Sequence, residues 1–388
     1  MASAFDDDSF KLLLDTVERF IRERLLPLEA EVERTEQVPA DVIAEMREMG
    51  LFGLSIGQEY GGFELDITQE MQVQMLFSQV SQAFRMVFWP NVGIGSKGIA
   101  IAGTDLQKRT YLPGMATGEI PAAFCLTEPD AGSDAASLKT SAVRDGDFFV
   151  LNGTKRFISN ATRAKVFTVM ARSDPSKKGA DGITAFLVDR DTPGLSIGKP
   201  EHKMGQKGSP IADVVLENVR IPAANIVGGP EAEGRGFKIA MAVLDAGRAS
   251  VAASAVGAAK RLIDEAARYA LQRKQFGQPL AQFQLIQAML ADSEAEYLAG
   301  HALALRAGQA LQRGEDTRVL AASAKYFCSE MLGRVADRAV QILGGNGYMA
   351  EYPVERLYRD ARAFRIYEGT SQILQLVIAR AMLQRYAD

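Results

Sequence analysis

The chain is poor in the side chains that build thiol and metal chemistry. It has two cysteines, Cys125 and Cys328, and two histidines, His202 and His301, among 388 residues. Two cysteines cannot form a disulfide framework and suit a reducing compartment. The histidines stand far apart with no flanking ligand pattern, so a structural zinc site is not expected. A Ser-His-Asp triad would have to rest on one of those two. Basic excess is also missing: 44 Lys and Arg face 48 Asp and Glu. A nucleic-acid surface needs the opposite balance. No uninterrupted apolar run reaches the ~18 residues of a membrane span. The opening MASAFDDDSF is acidic and has no apolar stretch, unlike a secretion signal or transit peptide. The expected location is the cytoplasm, or a mitochondrial matrix after processing. Chemistry in such a chain falls to a carboxylate or a cofactor.

What is present is helical at both ends and β-rich between. Phe10, Leu13, Leu14, Val17, Phe20 and Ile21 recur at helical spacing, with Ser9 as an expected N-cap and Pro27 as a kink or end. A second helix follows Pro39 and stops near Gly50, and Thr68 to Gln82 is helical in composition. From about residue 120 to 230 turn signals become frequent, among them Asp145-Gly146, Asn152-Gly153 and Asp181-Gly182, with short β-branched and aromatic runs between them. This predicts an antiparallel β-barrel or sandwich. Segments 237–273, 281–313, 317–343 and 353–386 then read as long helices with short connections, a four-helix bundle. The expected class is α+β, mainly α, with domains at 1–122, 123–233 and 234–388.

Gly93-Ile94-Gly95-Ser96-Lys97-Gly98 matches a dinucleotide-binding fingerprint, but it lies in a helical third without a βαβ unit. Close packing around small residues is the better reading. Other segments can carry chemistry. Cys125 to Asp134 concentrates hydroxyls, small residues and turn formers that could meet a polar ligand edge. Phe157 and Ser159, two apart on an expected strand, share a face that could pair a ring and a hydroxyl with a flat cofactor. Arg273-Lys274-Gln275-Phe276-Gly277 places cations at a helix end, for the helix dipole or for a phosphate. Gly344-Gly345-Asn346-Gly347 has more glycine than one helix cap needs. Glu368, between apolar Ile366-Tyr367 and Gly369, would acquire the pKa of a general base if it were desolvated.

Taken together, the TEP-x-AGSD loop, the RKQFG segment, the QILGGNGY loop, the Arg359-Asp360 pair and the YEGTSQ stretch resemble the acyl-CoA dehydrogenases in order and spacing, over essentially the whole chain. The resemblance implies an FAD-dependent oxidoreductase converting an acyl-CoA to a trans-2-enoyl-CoA, as in fatty-acid β-oxidation. Glu368 falls on the family's C-terminal catalytic base. The family's alternative base position, on the first bundle helix, is Gly247 here. FAD contacts are implied for Leu126, Thr127, Ser133, Phe157, Ser159, Arg273, Phe276, Gln284, Gln341, Gly345, Thr370 and Gln372, some reached from a neighbouring subunit. Many members carry Trp at the Phe157 position. Substrate contacts are implied for Ser133, Asp245, Arg248, Tyr367 and Gly369. The resemblance further implies a homotetramer built as a dimer of dimers and an electron-transferring flavoprotein as acceptor, with no metal. It places the pocket floor near Phe84, Phe88, Trp89, Val92 and Gly93, suiting short, medium or branched acyl groups. Rival readings are another reaction on the same scaffold, of oxidase, monooxygenase or desulfinase type, or a non-catalytic acyl-CoA-binding protein.

Overall fold

The computed structural model describes residues 5–387, so the first four residues of the acidic N-terminal stretch lie outside the description. The N-terminal third holds α1 (Asp7–Phe20), α2 (Glu29–Thr35), α3 (Ala40–Glu48), α4 (Ile67–Phe77), α5 (Gln82–Pro90), α6 (Lys97–Ala102) and α7 (Asp105–Ala116). Strands β1 (Ala122–Cys125), β2 (Ser141–Asp145), β3 (Phe148–Ser159), β4 (Val166–Arg172), β5 (Ile183–Asp189), β6 (Leu195–Ile197) and β7 (Ile211–Pro222) follow. The chain ends in α8 (Gly236–Gln272), α9 (Gln284–Gln312), α10 (Arg318–Leu343), α11 (Pro353–Arg362) and α12 (Ser371–Gln384).

Local chemistry explains most boundaries. The cap of α1 is Asp6 rather than Ser9, whose own N–H donates to Asp6 at 2.8 Å. Asp7 and Asp8 then add negative charge where the helix dipole favours it. Pro27 does not stop the chain's helical course. It sits in a short 3₁₀ turn joining α1 to α2 after a π-helical turn over Ile21–Leu25. The helix expected over Thr68 to Gln82 is two elements: α4 opens on an Asp66–Gln69 capping box and closes at Ser78, and α5 opens on Ser81.

The seven strands form one curled sheet in the order β1-β4-β2-β3-β7-β6, with β5 also on β4. Most pairs are antiparallel, but β1 lies parallel to β4. The β2–β3 hairpin intervenes in sequence, so the chain re-enters beside β1 in the same direction. Contact between β2 and β4 is a single parallel pair, Ser141 with Arg172, where the sheet curls. Its interior is closed by Phe149, Phe167, Phe186 and Val214.

Helix α8 is long and apolar enough by composition to cross a membrane, but more than half of that window is buried inside the protein. From Ala249 to Ala259 it is buried on every side, as a central core helix should be. Small residues permit this: a Cβ on Gly257 would overlap the Met75 carbonyl. The bundle differs from expectation at its end. Residues 353–386 are not one helix. The chain breaks at Ala363–Thr370, where Glu368 and Gly369 take φ of 56° and 95°.

One apolar cluster joins all three parts, with Ile99, Leu112 and Met115 from the first, Val166, Met170 and Leu187 from the sheet, and Ile239 and Ala240 from α8. A buried charge network adds direction. Glu29 accepts from the Ser81 N–H at 2.7 Å, from Arg356 at 3.0 Å and from Arg261 at 3.4 Å. Arg359 pairs with Glu33 at 2.8 Å and Glu355 at 2.8 Å, and donates to the Met204 carbonyl. Asp360 accepts from the Gln206 N–H, and burial pushes its carboxyl up to about 6. The Arg359-Asp360 pair is therefore a latch between bundle and β domain. Removing one member of a buried pair strands its partners. Glu29→Ala is expected to lower unfolding free energy by about 3–5 kcal/mol. Glu45→Ala, which breaks a half-exposed pair with Arg24, should cost less than about 1 kcal/mol. Urea melts of the two variants check the contrast.

Candidate active site

All three parts meet at a cavity of about 190 Å³. Arg85, Met86, Trp89 and Pro90 from α5, and Gly93 and Ile94 from the following π turn, form one wall. Their spacing is a helical face. The sequence expectation placed Phe84, Phe88 and Val92 on that wall, but these point the other way, into the N-terminal core. Trp89 and Gly93 of the expected set do line it. The glycine-rich run is a packing element, as expected: a Cβ on Gly95 would come within 2.8 Å of the Ala122 Cβ.

The β domain supplies Phe124, Leu126 and Thr127 from the end of β1, and Phe157, Ile158 and Ser159 from the end of β3. Phe157 and Ser159 reach the same cavity, but not by simple alternation. A bulge interrupts β3 between Lys155 and Ile158, and Phe157 takes a left-handed φ of 57°. Its ring is half-exposed, with the Arg156 guanidinium 4.8 Å from its centre. The Thr127 carbonyl accepts from the Arg156 N–H at 2.8 Å, tying the two segments together. The neighbouring Glu128 was not singled out in sequence. It is buried, accepts from the Lys139 and Thr140 N–H groups at 2.6 and 2.9 Å, and pairs with buried Lys155 at 2.7 Å. Burial opposes its ionisation, but Lys155 and these donors hold its carboxyl below the usual range. Its role is to fix the loop that carries Thr127. Ser133, further along this loop, is exposed and outside the cavity lining.

The opposite wall comes from Leu244, Gly247 and Val251 of α8, with Tyr367 and Glu368 from the break before α12. That break is clamped from α10. The Lys325 ammonium donates to the Gly369 carbonyl at 2.6 Å. Glu330 accepts from Arg365 at 2.6 Å and from the Ser371 hydroxyl at 2.6 Å. Thr370 caps α12, and Phe364 packs edge-on to Tyr367. A left-handed Glu is unfavourable in itself, so these contacts hold it in place.

Glu368 keeps some access to the cavity, but its Oε2 is shut off from solvent and has no hydrogen-bond partner. Desolvation raises its carboxyl to about 7, against the pull of Arg248, Lys325 and Arg85. Burial brings the Lys325 ammonium down to about 8. Arg248 is mostly buried and donates to Asp245 at 2.6 Å, so it is no surface residue. Gly247 lies directly opposite this carboxylate: a Cβ there would stand 2.9 Å from Glu368 Oε2.

The remaining sequence-selected residues stay outside the cavity. Arg273 ends α8, and Phe276 is 94% exposed at the tip of a hairpin pairing Lys274–Gln275 with Gln278–Pro279. Gln284 opens α9 and Gln341 is exposed near the end of α10. Gly345 has open space where a Cβ would stand. Thr370 and Gln372 sit at the start of α12. No cluster of three or more potential metal ligands occurs among the described residues.

Arg85 was missed by the sequence reading. Its signal was available: it is the one charged residue in the run from Ala83 to Gly95.

Family models for the N-terminal, middle and C-terminal domains of acyl-CoA dehydrogenase match residues 7–119, 123–219 and 234–383. The chain is 40% identical over 381 residues to a 3-(aryl)acrylate reductase of Clostridium sporogenes, covering 98% of this chain and 100% of that one. It is 40% identical over 375 residues to the probable acyl-CoA dehydrogenase YngJ of Bacillus subtilis, covering 96% and 98%. The structure of butyryl-CoA dehydrogenase from Megasphaera elsdenii superimposes with a TM-score of 0.93 at 36% identity, covering 99% of this chain and 100% of that one. With its cavity, its desolvated carboxylate and all three domain models in register, the chain belongs to the acyl-CoA dehydrogenase family of FAD-dependent oxidoreductases.

Proposed function

We propose that the protein oxidises an acyl-CoA thioester to the trans-2-enoyl-CoA, with Glu368 as the base that takes the α-proton. The observation that carries this is the Glu368 carboxylate, facing the cavity with a desolvated, unpartnered oxygen and a pKa brought to about 7. An α-proton beside a thioester is weakly acidic, and a base near neutrality matches that task. Arg248 and Lys325 keep the carboxylate ionisable despite its burial. The Glu368 N–H serves as a donor to the thioester oxygen, where negative charge develops. Asp245 and Arg248 stand at the substrate's entrance, and Tyr367 and Gly369 flank the base.

The cavity residues suit a flat ring with one polar edge: an accessible Phe157 and the Thr127 and Ser159 hydroxyls, with Leu126 beside them. When bound there, FAD supplies the hydride acceptor. Arg273, Phe276, Gln284, Gln341 and Gly345, all on the outside of one subunit, hold the far end of FAD across a subunit contact, with Thr370, Gln372 and Ser133 as further contacts. Exposed Phe276 and Tyr348 support such an assembly, a homotetramer of paired dimers. We further propose an electron-transferring flavoprotein as acceptor, a place in fatty-acid β-oxidation and a cytoplasmic setting. The reductase relative favours a second reading, the same chemistry run toward saturation. Anaerobic mixing with acyl-CoA separates these. Bleaching of the flavin supports oxidation, and flavin bleached only by an electron donor and reoxidised by enoyl-CoA supports reduction.

Glu368→Gln is expected to keep FAD and bind acyl-CoA while losing ~10²–10⁴-fold or more in turnover. Preserved turnover would place the base elsewhere. In the parent, kcat/KM should rise with pH and level off above about 7, as the carboxylate becomes the free-enzyme form. The same shift sets a stability trend. A folded pKa above the ordinary 4.5 means full stability below that pH and loss as pH rises through about 7. Glu368→Gln, which cannot ionise, should therefore gain on the parent in melting temperature between about pH 5 and about pH 8. Arg273→Ala should weaken FAD retention and subunit association together, as read by flavin absorbance across a sizing column. Full flavin on a separated monomer would refute the shared site.

A further inference from the structure

Among the described residues, four basic side chains are essentially buried: Arg85, Lys155, Lys325 and Arg356. Three have an evident counterpart. Lys155 pairs with Glu128, Arg356 with Glu29, and Lys325 holds the Gly369 carbonyl. Arg85 is the exception. It is 2% exposed, its Nε donates to the Gln82 amide oxygen at 2.9 Å, and its Nη2 has no partner. No salt bridge joins it to any carboxylate among the described residues, Glu368 included. Burial lowers its pKa, so the charge is held at a cost.

The guanidinium is not sealed into an apolar core. It lines the cavity that Glu368 faces, beside the apolar surfaces of Met86, Trp89 and Val251. Tyr367 also lines the cavity, and its buried hydroxyl lies near the Arg85 guanidinium and Gln206 without meeting either in a full hydrogen-bond geometry. Two incompletely satisfied donors therefore converge on the cavity, on the wall that α5 and Tyr367 form. A planar cation with a free N–H edge is the group best suited to a carboxylate, which it can bind in a forked geometry. A saturated hydrocarbon tail would leave both donors unsatisfied.

We propose that Arg85, assisted by the Tyr367 hydroxyl, binds a carboxylate at the distal end of the acyl group, so that the preferred substrates are CoA monothioesters of dicarboxylic acids. The proposal rests on the dehydrogenase reading and names its substrate class. Arg85 also feels the Glu368 charge, but Arg248 and Lys325 act on that carboxylate more strongly and no salt bridge joins it to Arg85, so Glu368 leaves the guanidinium edge free.

The test uses the FAD-loaded enzyme, an artificial electron acceptor and pairs matched in carbon number: glutaryl-CoA against pentanoyl-CoA, and adipyl-CoA against hexanoyl-CoA. At least one dicarboxylic member is expected to exceed its neutral partner in kcat/KM by ~10²-fold or more. Arg85→Gln should collapse that ratio toward one, chiefly through KM of the dicarboxylic substrate, and Arg85→Lys should restore part of it. Equal or better use of the neutral partners by the parent enzyme overturns the proposal while leaving the dehydrogenase reading intact. Failure of every acyl-CoA to reduce the flavin overturns the dehydrogenase reading instead. A ratio unchanged in Arg85→Gln, with a displaced pH profile for all substrates, would show that Arg85 only tunes the base.

Discussion

Lys325 reaches from α10 to the Gly369 carbonyl at 2.6 Å, and that hydrogen bond fixes the break between α11 and α12. At the break the chain turns left-handed at Glu368 and Gly369 and delivers a carboxylate to the cavity. A continuous helix over residues 353–386, as the composition suggests, would not make this turn. The clamp is itself charged and buried, so it also acts on what it holds. Lys325 is one of the cations that keep Glu368 from staying permanently protonated. Position and acidity thus come from one side chain. Glu330, also on α10, secures the other side of the same loop by accepting directly from Arg365 and Ser371.

The cavity has walls from three parts of the chain, so its shape is only as fixed as their mutual placement. An apolar cluster spanning all three excludes water from the joints. The Glu29 network and the Asp360–Gln206 contact select one arrangement among those that apolar burial alone would allow. Within the β domain the Glu128–Lys155 pair plays the corresponding part, tying the loop after β1 to β3. These buried charges lie outside the cavity lining, yet each positions a segment that forms it.

Much of this was legible in the sequence. Periodicity and turn chemistry separate a helical start, a β-rich middle and a helical end, and the motif order carries the family. The finer errors have physical causes. Helical composition is continuous from 353 to 386, but composition cannot register a clamp supplied by Lys325, some 40 residues earlier in the chain. Alternation in β3 is broken at Phe157 by a bulge, which depends on the register with β7. On α5 the bulky aromatics looked like pocket floor, yet Phe84 and Phe88 serve the N-terminal core and the next face serves the site. Hydrophobicity does not distinguish two apolar surroundings. Arg85, the one charged residue in that run, is what marks the cavity-facing side.

Gly247 and Glu368 occupy adjoining space: a Cβ at 247 would stand 2.9 Å from Glu368 Oε2, so a side chain there would meet the tip of this carboxylate. An acidic side chain at 247 would bring a second negative charge beside Glu368 in the same desolvated corner, and the two could not both ionise freely. The bare glycine thus leaves that corner to a single carboxylate, whose proton is the only one to titrate there.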